Sequence, residues 1–456
     1  MTKKLLSEFD GVSAKAWKQK IQVDLAGADY NQTLVSKSPE GIDINPIYHS
    51  DQAPVLGPIV GQPEDWLITQ AVFVDQEAVA NKLVKQALDG GANALWLKAN
   101  GVFDYERTFK DINLSGIVIY ADFAFLSELF YTKIASFLAS NNALFHARID
   151  VLYQLAAQGN WFENSKIDHQ RLGKIVNQTS SAQSLLGVNM ALYGNAGANA
   201  VQQIAYGLAH ANEYLSHFQE DAKDLKLTFT VSIGANYFME IAKIRALRIV
   251  YAQVAALYNA PGQCNVLASP SLRNKTIYDY NVNMLRTSTE CMSAAIGGAN
   301  AICNAPYDVV FHKSNEFGER ISRNQLLVLK HEAYFDATSN PADGAYYIDT
   351  LTQQLATKAL ALFKSIEASG GFLIALKSGT IQRKIKENAA QEQKAFDEGN
   401  LQLVGTNLFP NENEKLKADI ALFPFVKKHS RKTLIEPIIS KRLSESYEKD
   451  RLDNEK

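Results

Sequence analysis

LTFTVSIGANYFMEIAKIRALRIVYAQVAALY, residues 227–258, puts two periodicities back to back. Leu227–Ile233 is a short apolar run rich in β-branched and aromatic residues, which reads as a buried strand. Gly234 and Asn236 break it. The segment after Glu240 predicts a helix to about Tyr258. Within that helix Lys243, Arg245 and Arg248 read as a solvated basic face.

The same alternation recurs on both sides. Helix-like 76–88 stops at Gly90-Gly91, and Ala94–Leu97 follows as a strand. Gly116–Tyr120 is another strand, followed by helix-like 126–139. Helix-like 199–218 precedes Leu227, and Asn265–Ala268 and Ala301–Asn304 close the series. Apolar strands alternating with helices predict a parallel sheet covered on all sides. The length suits a (β/α)8 TIM barrel, an α/β fold. Leu88-Asp89-Gly90-Gly91-Ala92-Asn93-Ala94 is echoed by Ile296-Gly297-Gly298-Ala299-Asn300-Ala301. These glycines precede a strand instead of following one, so they read as helix stops and not as a phosphate loop.

Composition narrows the functional classes. The 456 residues carry a formal net charge of −2, which gives no basic stripe for nucleic acid. Cys264, Cys291 and Cys303 lack zinc spacing and are too few for a disulfide framework, as in a reducing compartment. The eight histidines show no His-x-x-x-His pair, so no metal is expected. MTKKLLSEFDG lacks the apolar core of a signal peptide, and no apolar run is long enough to span a bilayer. A cytoplasmic protein without a membrane partner is expected.

NPADGAYYIDTLTQQLATKALALFKSIEASGGFLIALKSGTIQRKI, residues 340–385, reads as a turn, a helix and a glycine stop. Thr350 and Gln353 suggest a capping box that starts the helix near Leu351. Leu351, Leu355, Leu362, Phe363 and Ile366 share a face, and Gly370-Gly371 suit its end. The same residues resemble the methylmalonyl-CoA mutase family, in which Pro-x-x-Gly-x-Tyr-Tyr-Ile leads into Leu-Thr and later into Ile-Glu-Ala-x-Gly-Gly. Here these are Pro341, Gly344, Tyr346, Tyr347, Ile348, Leu351, Thr352, Ile366, Glu367, Ala368, Gly370 and Gly371. Ser38–Ile42 with Pro46-Ile47-Tyr48, and Gly297–Asn300 with Arg323-Asn324-Gln325, are two further signatures. Ile241–Arg248 is similar to a helix of the small, non-cobalamin-binding (beta) subunit of the heterodimeric enzymes.

The resemblance implies a barrel that holds acyl-CoA and a separate corrin domain whose histidine ligates cobalt in Asp-x-His-x-x-Gly. The sole Asp-His pair here, Asp168-His169, has the wrong spacing. Fewer residues follow Gly371 than the roughly 100 a flavodoxin-like domain needs. No flavodoxin-like cobalamin domain is therefore expected. The Arg-Gly-Pro-Tyr run of catalytic members is missing from Gly57–Trp66. Their Ser-Gly-Tyr-His pair becomes Asn236 and Tyr237 when Glu240 anchors the alignment. These two are degenerate counterparts of catalytic residues, and no other catalytic, cofactor-binding or metal site is expected. An imidazole that would polarise the thioester carbonyl is gone.

The chain is expected to divide into an N-terminal arm (1–50) for subunit contact, a barrel (51–385) and a C-terminal helical extension (386–456). Trp17, Ile21 and Leu25 give the arm one apolar helical face. Residues 441–456 read as a solvated helix or frayed tail. Trp96, Phe229, Val231 and Leu267 are the candidates to plug a barrel axis that catalytic members leave open to pantetheine, and strand alternation lets only some of them point inward. The resemblance implies a small, non-catalytic subunit that supports isomerisation of methylmalonyl-CoA and succinyl-CoA. A large catalytic subunit would bind adenosylcobalamin. Two alternatives stay open: the catalytic barrel of a split acyl-CoA mutase, and an unrelated barrel enzyme such as a lyase.

Overall fold

The computed structural model describes Glu8 and residues 11–179, 181–427 and 430–455. Eight parallel strands close into a barrel in chain order. They are β1 (Leu67–Phe73), β2 (Ala94–Ala99), β3 (Val118–Phe123), β4 (Leu144–Ile149), β5 (Ser184–Asn189), β6 (Leu227–Ile233), β7 (Asn265–Pro270) and β8 (Ala301–Ile302). The (β/α)8 TIM barrel is thus the fold, and the other described sheet is a two-stranded ribbon, Ser36–Lys37 with Asp43–Ile44. No described helix is long and apolar enough to cross a membrane.

The paired glycines do the same work twice. Gly91 and Gly298 take left-handed φ values of 94° and 86°. In each case the next residue's N–H reaches back to close the helix, Ala92 to the Ala87 carbonyl and Ala299 to that of Ala294. The asparagine that follows then brackets two strands. Asn93 Oδ1 accepts from Ile68 N–H at 2.8 Å, and Asn300 Oδ1 from Val266 N–H at 2.8 Å. Their backbone carbonyls accept from Val118 and Leu67. Gly90 has its own reason: a Cβ there would lie 2.4 Å from the Arg323 guanidinium, which donates to the Gly90 carbonyl.

The basic run is not solvated. Lys243, Arg245 and Arg248 are at most 1% exposed on helix Tyr237–Ala256. That helix is buried on nearly every side, between the barrel and the outer helix Tyr346–Ala368. Arg245 meets Asp349 at 2.7 Å, and Arg248 reaches the carbonyls of Cys264 and Gly298 and Asn300 Oδ1. The outer helix also begins earlier than its capping-box signal, at Tyr346. Thr350 lies inside it, its hydroxyl bonded to the Tyr346 carbonyl at 2.7 Å. Asp349 holds the entry turn through Gly344 N–H. Leu351, Leu355, Phe363 and Ile366 are buried as their spacing requires.

The two ends of the chain behave differently. Helix Ala14–Asp24 leaves Trp17 46% exposed, whereas Ile42 in the ribbon is buried and Tyr48 packs on Tyr347 at 4.8 Å. Helix Thr380–Asp397 runs through position 385. Residues 441–455 are not a frayed tail. Helix Glu445–Asn454 buries Glu448, which pairs with Arg442 and accepts from Ser444 and from Ile277 N–H. All three cysteines are buried and unpaired.

Asn300→Ala should destabilise the protein by about 2–4 kcal/mol, because it orphans a buried N–H and part of a buried guanidinium. Asn93→Ala, which removes one such acceptor, should cost roughly 1–2 kcal/mol. Urea unfolding midpoints of the two variants give the comparison, and equal, negligible shifts would remove the brackets from the account of stability.

Candidate functional site

Alternation along the strands sorts the barrel wall. Of the four plug candidates Phe229 and Val231 face the helices, whereas Trp96 and Leu267 point inward. With Tyr120, Val118, Ala94, Ala301 and Cys303 they form a separate interior cluster. Below it lies a polar layer: the His146 ring stacks on Tyr120 at 4.8 Å, and its Nδ1 meets Ser184 Oγ at 2.8 Å. Ser184 Oγ lies 2.6 Å from Thr228 Oγ1. Burial, with the nearby Arg148 and Lys226 charges, pulls the His146 pKa down to about 3.

Arg148 crosses the axis above this layer. Its backbone is left-handed, φ 48°, at the irregularity where β4 slips against β5. The guanidinium donates to the Ala121 carbonyl at 3.0 Å and to Thr230 Oγ1, and lies 5.0 Å from the Trp96 ring. Burial lowers its pKa, and Asp122 and Asp150 oppose that shift. Trp96, Tyr120, Leu267 and Arg148 together fill the middle of the barrel, so the axis is plugged by a partly different set of side chains from those expected.

Two cavities open at the C-terminal ends of the strands, the end where TIM barrels carry their chemistry. The first, ≈ 230 Å³, sits on the plug and is lined by Lys98, Asp122, Arg148 and Asp150 among others. Asp150 is fully engaged. It accepts from His210 Nε2 at 2.8 Å, Tyr214 Oη at 2.9 Å, and the backbone N–H groups of Tyr153 and Asn189. Tyr193 Oη lies 2.9 Å from His210 Nδ1, and burial raises the phenol's pKa. The second cavity, ≈ 590 Å³, lies over β5–β7 beneath residues 37–40 of the arm and helix Thr380–Asp397. Its charged walls are largely paired, Glu240 with Lys243 and Arg273 with Glu392, each at 2.5 Å.

Asn236 lines this second cavity, where its side chain caps the helix by accepting from Met239 N–H at 3.4 Å. Tyr237 leaves the cavity and packs on Ile241, Ala342 and Ile348, 5.3 Å from the Phe238 ring. The two residues therefore do not converge on one point. Lys98, Asp122, Arg148, Asp150 and His210 were not anticipated from sequence. The signal available was a charged residue at the C-terminal end of an apolar run, seen in Lys98, Asp122 and Arg148.

The methylmalonyl-CoA mutase family model matches residues 101–450. The methylmalonyl-CoA mutase small subunit of Porphyromonas gingivalis is 32% identical, covering 99% of this chain and 78% of its own length. That of Streptomyces virginiae is 26% identical, covering 90% and 72%. The methylmalonyl-CoA mutase of Cereibacter sphaeroides is 27% identical over 86% of this chain, which spans only 64% of that relative. Large subunits from the first two organisms match as well. The chain belongs to the methylmalonyl-CoA mutase family, which is cobalamin-dependent.

The Asp-His pair does not fit an axial cobalt ligand. The Asp168 carboxylate accepts from Phe162 and Glu163 N–H instead of orienting an imidazole. His169 Nδ1 bonds the Ser165 carbonyl at 2.7 Å within helix Ser165–Gln178.

The buried His146 predicts an acid-side loss of stability. Its folded pKa lies below the unfolded value of 6.5, so the unfolded chain binds the extra proton. Stability is unaffected above pH 6.5 and falls between 6.5 and about 3, by up to about 1.4 kcal/mol per pH unit. His146→Gln should flatten this limb relative to the parent protein in unfolding titrations run from pH 7 to 4, whatever its offset at pH 7.

Proposed function

We propose that this chain is the small, non-catalytic subunit of an adenosylcobalamin-dependent methylmalonyl-CoA mutase. It pairs with a larger, homologous subunit that binds the cobalamin and the acyl-CoA and performs the isomerisation of methylmalonyl-CoA and succinyl-CoA. The observation that carries this reading is the filled axis. Trp96, Tyr120, Leu267 and Arg148 occupy the space through which pantetheine would thread in a catalytic family barrel. The outward-packed Tyr237 supports it, because no imidazole stands where a thioester carbonyl would need polarising. The relatives named small subunit point the same way.

Residues 1–50 are the contact arm in this reading, residues 51–385 the barrel and 386–456 the extension. Trp17 and its neighbours on helix Ala14–Asp24 gain little burial from their own chain. An isolated helix this short is marginal in water and needs a surface for its apolar face. The partner subunit supplies that surface. Burial contributes roughly 1.5–3 kcal/mol per large side chain.

Trp17→Ala should therefore weaken the complex by about 10- to 100-fold with the barrel's melting temperature unchanged. Deleting residues 1–30 should abolish co-purification with the large subunit. Full-yield co-purification of the truncated chain, with undiminished mutase activity, would count against the arm. The isolated chain should also give no saturable shift in visible absorbance when titrated with adenosylcobalamin. Micromolar binding by the lone chain would overturn the assignment of the cobalamin to the large subunit.

A further inference from the structure

We propose that the cup above the plug binds a small 2-hydroxy or 2-amino acid, with its carboxylate between Lys98 and Arg148 and its hydroxyl or ammonium group toward Asp122. The site is independent of the subunit role argued above, and it exists because the plug gives the barrel mouth a floor.

Four observations carry it. Arg148 is 8% exposed, yet its Nε is buried without a hydrogen-bond partner. Its strained left-handed backbone is of the kind that collects at ligand sites. The Lys98 ammonium lies over the Trp96 ring at 4.1 Å and pairs with no carboxylate among the described residues. Arg148 shares the same indole, so two cations converge on one ring. Asp122 and Asp150 act on Arg148 from the same cup, so the lining balances two cations against two carboxylates and suits a ligand that carries both a carboxylate and a donor.

The third observation is Asp122, which stands opposite Lys98 in the β2–β3 register and also lines the cup. It offers an acceptor beside the two donors. Asp150 cannot play that part, since its oxygens are filled by His210, Tyr214 and backbone N–H groups. Fourth, Asn189 Oδ1 is buried and unpartnered at the same wall. A ligand with one carboxylate and one adjacent donor meets Lys98 and Arg148 with the first and Asp122 or Asn189 with the second. The cavity, ≈ 230 Å³, falls below the roughly 300–1,000 Å³ of drug-sized pockets, which restricts the ligand to a few carbons.

The test uses the full chain, with L-lactate and L-serine as probes, propionate as the carboxylate without a donor, and phosphate and chloride as plain anions. Calorimetry and tryptophan fluorescence are read at constant ionic strength. Lactate or serine should bind saturably, one per chain, at least about 10-fold tighter than propionate or the plain anions. Lys98→Gln should weaken that binding about 10-fold or more, and Asp122→Asn should erase the preference over propionate. Arg148→Gln removes part of the plug, so Lys98, at the half-buried rim, is the primary variant, with its melting temperature as the check on folding. Unchanged binding in a folded Lys98→Gln protein overturns the proposal. So does an absence of saturation by lactate and serine up to about 50 mM, or phosphate binding as tightly as either.

Discussion

Three cations on one buried helix hold this barrel together. Lys243, Arg245 and Arg248 are removed from water on helix Tyr237–Ala256, and a buried charge left unpaired is among the costliest defects a fold can carry. Each one therefore dictates what must stand beside it. Lys243 requires the Ser232 carbonyl and Glu240 at the barrel mouth. Arg245 requires Asp349 and Asp343 on the outer layer. Arg248 requires the carbonyls of Cys264 and Gly298 and the Asn300 bracket at the opposite end of the barrel. One helix thus fixes the mouth, the second shell of helices and the floor in a common register. The alternation of apolar and polar faces seen on ordinary barrel helices is lost as a consequence.

That loss explains how unevenly the sequence could be read. The strands with continuous apolar character, β2, β6 and β7, were legible from local pattern. So were the glycine stops at Gly91 and Gly298, because their chemistry is local. Strands β1, β4 and β5 were not. They carry Thr69, Gln70, His146, Arg148 and Ser184, which dilute an apolar run, and of these His146 and Ser184 find their partners on neighbouring strands. The basic run misled for a related reason. Periodicity cannot distinguish a cation that points to water from one whose partner, Asp349, lies 104 residues away. The capping-box pattern at Thr350 failed because an entry turn anchored by Arg245 adds more burial than the local cap offers.

The candidate site was less legible still. Lys98 and Asp122 become neighbours only when β2 and β3 are set in register. The His210–Asp150 contact joins two elements 60 residues apart. The family motif located Asn236 and Tyr237, but could not reveal that one caps a helix while the other turns outward. Motifs mark where chemistry resides in relatives. Whether the side chains converge is a matter of packing.

The plug divides the barrel interior into two regions with different physical demands. In the lower region His146, Ser184 and Thr228 exchange hydrogen bonds beneath the aromatic and aliphatic layer. In the upper region Arg148, Lys98, Asp122 and Asn189 keep groups without partners. Arg148 joins the two, and only a particular backbone lets it. A Cβ at position 187 would stand 2.8 Å from the Arg148 carbonyl oxygen, so glycine there admits the slip between β4 and β5 that turns the guanidinium across the axis. A barrel closed at its middle in this way gives up a through-channel but keeps a solvent-facing mouth. Of the polar groups at that mouth, Lys98, Asp122 and Asn189 stand on its wall, whereas Arg148 belongs to the plug as well.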